Sequence, residues 1–154
     1  MAISETTHRV SICIRAVEVW LVISVAEVIH GVGRIAFLQP FVGDFPARQI
    51  AVFTGSGLIL AVAFLFRRWI NAKTFWECLA VGAIWVLLTI GFEIFLGRIL
   101  MDLTWERILS DYDILRGGLM PIGLTVMLFA PLIVTRIRLS KPPTSASHTN
   151  DTIS

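Results

Sequence analysis

The sequence predicts an all-α integral membrane protein whose four transmembrane helices form one bundle. The first observation is composition: 56% of the 154 residues are hydrophobic and only 16% are charged. A soluble domain of this size needs more polar surface, because a small body has a large area to hydrate. The second is that the chain contains four apolar stretches of about 20 residues, the length that crosses a bilayer. The third is that turn residues or basic residues close each stretch.

Four spans divide one membrane domain, which we place at residues 12–139. They lie at about 12–37, 49–66, 75–96 and 117–135. A polar segment, residues 1–11, precedes them, and the apolar stretch after it carries Arg15, Glu18 and Glu27, so we expect a retained span rather than a cleaved signal. Residues 140–154 are rich in Ser, Thr and Pro and predict a disordered tail.

Span 1 ends at Gln39-Pro40, and the segment 43–46, which reads Gly-Asp-Phe-Pro, predicts the turn into span 2. Span 2 has no charged residue inside it. The sequence 67–69, Arg-Arg-Trp, closes this span with the basic and aromatic side chains that anchor helices at a membrane interface.

Span 3 is a long apolar candidate whose only charged residues are Glu77 and Glu93, and it ends at Gly97-Arg98. Span 4 holds Pro121 and Pro131 and is followed by further arginines. Packed membrane helices accept such prolines, since neighbouring groups re-satisfy the freed carbonyls.

Basic residues predict the orientation. If the N-terminus, the 67–74 connection and the tail share one side, that side holds eight basic residues and the other side five. The eight are Arg9, Arg15, Arg67, Arg68, Lys73, Arg136, Arg138 and Lys141; the five are Arg34, Arg48, Arg98, Arg107 and Arg116. The bias places both termini in the cytoplasm. We expect a multi-pass protein of the plasma membrane, the inner membrane in a bacterium.

The segment between spans 3 and 4 predicts a short amphipathic helix at the outer surface. Its apolar positions recur at helical spacing: Met101, Trp105, Ile108, Tyr112 and Leu115. Its acidic positions are Asp102, Glu106, Asp111 and Asp113. Such a helix lies either on lipid or as a lid on the bundle.

Ionisable residues inside the spans predict an intramembrane polar site. A charge near the bilayer centre costs about 2.5–3.5 kcal/mol on insertion scales, so it needs a partner, a cavity or a function. Ser24, Glu27, His30 and Arg34 form one polar stripe on span 1. Thr89 and Glu93, followed by Arg98, form a second stripe on span 3.

The two stripes share an order of residues: Trp, then Ser or Thr, then Glu, then Gly-Arg. The first set is Trp20, Ser24, Glu27 and Gly33-Arg34; the second is Trp85, Thr89, Glu93 and Gly97-Arg98. Because both spans run outward, this order predicts a parallel repeat, one helical hairpin used twice. The repeat would bring Glu27 and Glu93 to the centre of the bundle, where two nearby carboxylates cannot both ionise cheaply.

Three readings of this site stay open. It binds or passes a small solute or ion; it belongs to a membrane enzyme or redox subunit; or it is a buried polar network that only fixes helix packing. Glu27-x-x-His30 has the spacing of metal ligands on a bundle helix, but the second position, Glu93, lacks the matching histidine. We therefore predict no metal site, with Glu27, His30 and Glu93 as weak candidates only.

No enzyme motif is present in the sequence, and no cofactor can be assigned from it. We favour a non-enzymatic role. The charge balance of 13 basic and 11 acidic residues argues against nucleic acid as a partner. The partners we expect are the lipid bilayer and a second membrane helix, in a homo-oligomer or another protein, packed on Ala51, Gly55 and Gly57 of span 2.

Overall fold

The computed structural model describes residues 2–100 and 102–139, and this part of the chain is helical with no strand. Six α-helices follow one another: α1 (Ala2–Gly33), α2 (Gln39–Val42), α3 (Asp44–Ile70), α4 (Phe75–Phe95), α5 (Trp105–Ser110) and α6 (Met120–Leu139). The all-α class is therefore confirmed. The predicted tail, residues 140–154, lies outside the described residues.

Three of the described helical segments are long and apolar enough to cross a membrane: Asp44–Ile70, Phe75–Ile99 and Met120–Ile137. They mark the chain as a membrane protein. The long helix α1 is not among the three, and its apolar stretch carries Arg15, Glu18 and Glu27.

Proline residues start helices here more often than they end them. Pro40 lies in the first turn of α2, Pro46 in the first turn of α3, and Pro121 is the second residue of α6. A first-turn proline loses no hydrogen bond, because the first N–H groups of a helix have no partner inside it. Of the predicted turn at 43–46, only Gly43 lies outside a helix, because α3 begins at Asp44. Likewise, α6 begins at Met120 rather than at 117.

Two π-helical segments extend the helices that carry the polar stripes. Residues Arg34–Leu38 continue α1, and Leu96–Leu100 continue α4. π-Helical turns are rare and occur often at functional sites. Both segments coincide with a Gly-Arg pair, Gly33-Arg34 and Gly97-Arg98, so the two stripes end in the same unusual geometry.

A tight connection joins α3 to α4. Asn71 ends α3 in the left-handed conformation, at φ 55°, and its N–H donates to the carbonyl of Arg67. Thr74 then caps α4: its hydroxyl accepts from the N–H of Glu77 at 3.2 Å, while the Glu77 carboxylate accepts from the N–H of Thr74 at 3.0 Å. This capping box fixes the start of α4 at Phe75.

The predicted amphipathic helix over 101–115 is shorter than expected. Helix α5 covers Trp105–Ser110, and a 3₁₀ turn follows at Ile114–Arg116. Of the four acidic positions, only Glu106 lies within α5. Asp102 precedes it at φ 48°, Asp111 caps its C-terminus, and Asp113 follows it. The Thr104 hydroxyl accepts from the N–H of Arg107 and starts the helix there.

The long helices contact one another in the cyclic order α1, α3, α6, α4. Their hydrophobic core fills one half of the bundle, towards the α3–α4 connection. Its buried members are Ile12, Ala16, Val19, Trp20, Ile23, Ile59, Ala63, Ile70, Val81, Trp85, Met127, Ala130 and Val134. At Gly82, α4 approaches α6 so closely that a side chain would collide with the carbonyl oxygen of Leu128.

Two tryptophans tie α1 to α4 in a reciprocal way. The Trp20 indole N–H donates to the Thr89 hydroxyl at 3.0 Å, and the Trp85 indole N–H donates to the Ala16 carbonyl at 2.8 Å. Thr89 lies one turn after Trp85, and Ala16 lies one turn before Trp20. The corresponding tryptophans of the two stripes thus each reach the helix of the other.

Candidate functional site

The half of the bundle that the hydrophobic core leaves unfilled contains a cavity of about 580 Å³. Side chains of α1, α3, α4 and α6 line it, together with residues of the connection between α4 and α6. Apolar side chains make up much of the wall, among them Ile23, Val52, Phe92, Leu124 and Met127. Polar and charged groups converge on this apolar space.

Six of the seven residues predicted for the intramembrane polar site line this cavity: Ser24, Glu27, His30, Arg34, Thr89 and Glu93. Arg98 does not. Its guanidinium donates to the Leu103 carbonyl at 2.9 Å and lies over the Trp105 ring, 5.3 Å from the ring centre. Arg98 therefore lies beside the α4–α5 connection, apart from the six predicted residues that the cavity brings together.

Glu27 and His30 form a pair on α1 that reaches α3. The His30 Nδ1 atom lies 3.5 Å from Glu27 Oε2, and His30 Nε2 lies 2.8 Å from the Thr54 hydroxyl. The Thr54 hydroxyl is also within 3.0 Å of the Ile50 carbonyl of its own helix. When that hydroxyl donates to the carbonyl, it can accept from His30, and Nε2 is then the ring nitrogen that carries the hydrogen.

Glu93 has a different partner. The Tyr112 hydroxyl, on the connection between α4 and α6, donates to Glu93 Oε2 at 3.2 Å. Burial raises the pKa of Tyr112 to about 12, and the neighbouring Glu93 carboxylate adds to the rise. The two glutamates thus line one cavity with separate partners, rather than bonding to each other as an isolated carboxylate pair.

A network of ion pairs forms the rim of the cavity. Arg48 donates to Asp44 through two nitrogens and to Asp111 Oδ1 at 3.0 Å. Arg107 donates to the same Asp111 oxygen at 3.0 Å. Arg34 Nη1 lies 3.7 Å from Asp44 Oδ1. The rim joins the end of α1, the start of α3 and the end of α5.

Two residues that line the cavity each have a buried side-chain atom without a hydrogen-bond partner, Glu27 Oε1 and Arg34 Nη1. An unpaired buried polar group costs about 1–3 kcal/mol, and more when it is charged. Folded proteins therefore rarely keep such atoms without a ligand or water to satisfy them. One of these atoms is an acceptor and the other a donor.

Thr89 marks the floor of the cavity. It accepts from the Trp20 indole N–H, and its hydroxyl lies 3.3 Å from the Met127 sulfur. Beneath it lies the hydrophobic core, where Trp85 is fully buried. The described side chains close the bundle on that side.

The small-residue face predicted on span 2 is occupied within the chain itself. A Cβ atom at Gly55 would lie 3.0 Å from Glu27 Oε2, so the absence of a side chain admits this carboxylate between α1 and α3. Ala51 lines the cavity, and only Gly57 faces open space. Gly55 is thus unavailable to a second chain, which corrects the expected partner surface.

Sequence reasoning did not assign Arg48, Arg107, Tyr112 or Thr54 to the site. The i,i+4 spacing of Asp44 with Arg48, and of Arg107 with Asp111, was the available signal for the rim. The contact between Arg48 and Asp111 joins positions 63 apart in sequence, so no sequence signal was available for it. Among the described residues, no three His, Cys, Asp or Glu side chains are grouped so as to hold a metal ion.

The sequence has no significant match among family models, curated proteins or solved structures. Function has to be inferred from the geometry of this chain.

Proposed function

We propose that the chain is a membrane protein of four transmembrane helices that binds a small solute in its cavity, entered from the outer face. The first support is the place of α1. It packs against α3 and α4, two helices apolar enough to span the membrane. Over residues 21–32, the exposed large side chains outside the cavity lining are apolar, as a lipid-facing surface requires: Leu21, Val22, Val25, Ile29 and Val32.

The direction of the cavity follows from the basic residues. Arg67, Arg68 and Lys73 border the α3–α4 connection, which the distribution of basic residues assigns to the cytoplasm. The hydrophobic core lies at that end of the bundle, and the cavity lies at the opposite end. The cavity then opens to the outside and is closed towards the cytoplasm, with α5 at its mouth as the outer helix.

The cavity itself is the observation that carries the proposal. Its volume of about 580 Å³ is within the range of about 300–1,000 Å³ found for small-molecule sites. Such sites are mostly apolar with a few convergent polar groups, which is the composition of this wall. This arrangement supports binding rather than transport, because passage of a solute would also require the layer formed by Trp20 and Trp85 to open.

A purely structural network is less well supported. A network that serves packing alone is stable when every member is satisfied, and a partly satisfied network destabilises the fold. Here Glu27 Oε1 and Arg34 Nη1 remain without hydrogen-bond partners, in two side chains that line the cavity. A bound solute, or water, would satisfy them.

Ser56 and Gly57 offer a matched test, because they are neighbours on α3 at nearly the same depth. Ser56 lines the cavity, and Gly57 faces open space outside the bundle. In a Cys13→Ser/Cys78→Ala background, a membrane-impermeant thiol reagent added outside should label Ser56→Cys quickly and Gly57→Cys slowly. Equal rates at the two positions, or labelling of Ser56→Cys from the cytoplasmic side alone, would contradict an outward-facing cavity.

Passage of the solute is a separate measurement. Liposomes that contain the protein should be compared for uptake of a candidate solute between wild type and Glu93→Gln. Uptake that depends on Glu93 would add transport to binding, whereas labelling of the cavity without uptake would leave a binding protein or a subunit of a larger assembly.

A further inference from the structure

The charge at the mouth of the cavity indicates which kind of solute it holds. We propose that the ligand is a small organic anion with an apolar body, its acidic group on Arg34 and its body directed towards the floor. This inference rests on the proposed function, that the cavity binds a solute, and it names the chemical class of that solute.

Arg34 supplies the first argument. Its side chain lines the cavity, and its buried Nη1 atom has no hydrogen-bond acceptor; the nearest carboxylate oxygen, on Asp44, is 3.7 Å away. Asp44 is already engaged by Arg48 and is half exposed to solvent. A guanidinium cannot lose its proton in a protein, so its unmet donor needs an acceptor from elsewhere.

The rim as a whole carries a positive surplus. Its three guanidinium groups, Arg34, Arg48 and Arg107, face two carboxylates, Asp44 and Asp111. Both carboxylates are shared: Asp44 lies between Arg34 and Arg48, and Asp111 lies between Arg48 and Arg107. One negative charge at the mouth would balance the network, and an arginine fork suits a carboxylate or phosphate.

Glu27 raises the opposite possibility, a cation, because its Oε1 atom is also unpaired. A carboxyl group, unlike a guanidinium, can become neutral by holding a proton, and His30 Nδ1 lies 3.5 Å from its other oxygen. Glu93 has its own donor in Tyr112. The charge that gain or loss of a proton cannot remove is therefore the positive charge of the rim.

The shape of the wall supplies the apolar half of the ligand. Arg34 lies seven residues after Glu27 on the same helix, about 10 Å further along its axis. Below the rim, Phe92, Leu124 and Met127 contribute apolar surface to the cavity. An acidic group at Arg34 would place the rest of the molecule against this surface, which favours a hydrocarbon body.

The test uses three probes that share one chain and differ in the head group: octanoate, octanol and octyltrimethylammonium. Binding is measured by calorimetry on the full chain in phosphatidylcholine nanodiscs, with empty nanodiscs subtracted. Wild type should bind octanoate most tightly. Arg34→Gln should weaken octanoate by about tenfold or more, the effect of losing a charge-assisted hydrogen bond, and leave octanol unchanged. Retained octanol binding also shows that the variant is folded.

Arg98→Gln is the matched control, because Arg98 follows a glycine at the end of α4 as Arg34 does at the end of α1, but lies outside the cavity. It should bind octanoate like wild type, and Arg34→Lys should keep part of the affinity. Phosphatidylglycerol added to the discs separates two sources of the anion: competition with octanoate assigns the site to a lipid head group, and no competition assigns it to a soluble acid.

Tighter binding of octyltrimethylammonium than of octanoate would overturn the anion assignment, and so would equal loss of octanoate in Arg34→Gln and Arg98→Gln. If no probe binds although Ser56→Cys is labelled from outside, the cavity exists and the ligand class is wrong. If Ser56→Cys is not labelled either, the proposed function itself fails.

Discussion

Tyr112 is the only tyrosine of the chain, so its ionisation can be followed without interference from another phenol. Its pKa of about 12 has burial as the largest cause and the Glu93 carboxylate as the next. A tyrosine in water ionises near pH 10. We expect tyrosinate absorbance to appear with a midpoint near pH 12, and Glu93→Gln to move this midpoint part of the way down, since burial remains.

The sign of the linked stability follows from the raised pKa. The folded protein favours the protonated phenol, so this contribution to stability is complete below about pH 10 and is lost as the pH rises through 12. Glu106→Gln, on the exposed part of α5, is the control and should leave the midpoint unchanged. A midpoint near 10 in wild type would show that Tyr112 is solvated and not bonded to Glu93.

The role of Thr89 can be tested by comparison with Thr125, whose hydroxyl bonds within its own helix. Thr89→Val removes the acceptor of the Trp20 indole N–H and leaves that donor unpaired, which should cost about 1–2 kcal/mol of unfolding free energy. Thr125→Val removes only a hydroxyl bonded to the Pro121 carbonyl of its own helix, so a change within about 0.5 kcal/mol is expected. The unfolding free energies of both variants are measured in detergent. Equal decreases would show that Thr89 does not stabilise the contact between α1 and α4.

At the scale of the helices, the contact of α4 with α6 depends on one glycine. Gly82→Ala would press a Cβ atom onto the rigid carbonyl of Leu128, and the helices must separate, at a cost of about 1–3 kcal/mol. Gly91, on the same helix, has nothing within 4 Å of the added atom. Gly91→Ala should be neutral or stabilise by up to about 1 kcal/mol through helix propensity. Similar melting temperatures for the two variants would contradict this close approach.

Helix α5 makes a second prediction at this scale. Glu106 is exposed, while the Ile108 side chain packs over Gly97 at the end of α4. With Cys13 and Cys78 replaced, Glu106→Cys should react quickly with an impermeant thiol reagent applied outside, and Ile108→Cys slowly. Trp105→Cys, at a half-exposed position beside Arg98, should react at an intermediate rate. Uniform rates would indicate that the segment is an open loop.

Sequence patterns were informative for the helices and less so for their ends. The apolar stretches located α3, α4 and α6, because hydrophobic length depends on neighbouring residues alone. Pro46 and Pro121 misled the boundaries, since a proline ends a helix in one position and starts it in another. No recognisable sequence signal marked the π-helical turns after Gly33 and at Gly97. The directions of the side chains in these turns depend on the packing of the whole bundle.

The residues of the polar site likewise fall into those that the sequence predicted and those that it did not. Helical periodicity brought Ser24, Glu27, His30 and Arg34 onto one side of α1, and all four line the cavity. The same reasoning failed for Arg98, whose neighbours in the folded chain are Leu103 and Trp105. Partners such as Arg48 and Asp111 come from distant elements, and their pairing requires the three-dimensional fold.

For the molecule as a whole, orientation in the membrane is the prediction on which the outward-facing cavity depends. Reporter fusions after Lys73 and after Ser140 should read as cytoplasmic, and fusions within 40–46 or 102–114 as external, because eight basic residues border one side and five the other. An external reading after Lys73 would invert the bundle and open the cavity to the cytoplasm.

The contact of Glu27 with α3 has a consequence for biogenesis. The groups that accommodate this carboxylate and its histidine, Gly55 and Thr54, lie on a helix that leaves the ribosome later. Until α3 arrives, α1 offers the translocon a carboxylate with only His30 beside it, and the insertion cost of such a charge is about 2.5–3.5 kcal/mol. If α1 spans the bilayer as proposed, its retention there should therefore await α3, so that the first two long helices leave the translocon as one hairpin.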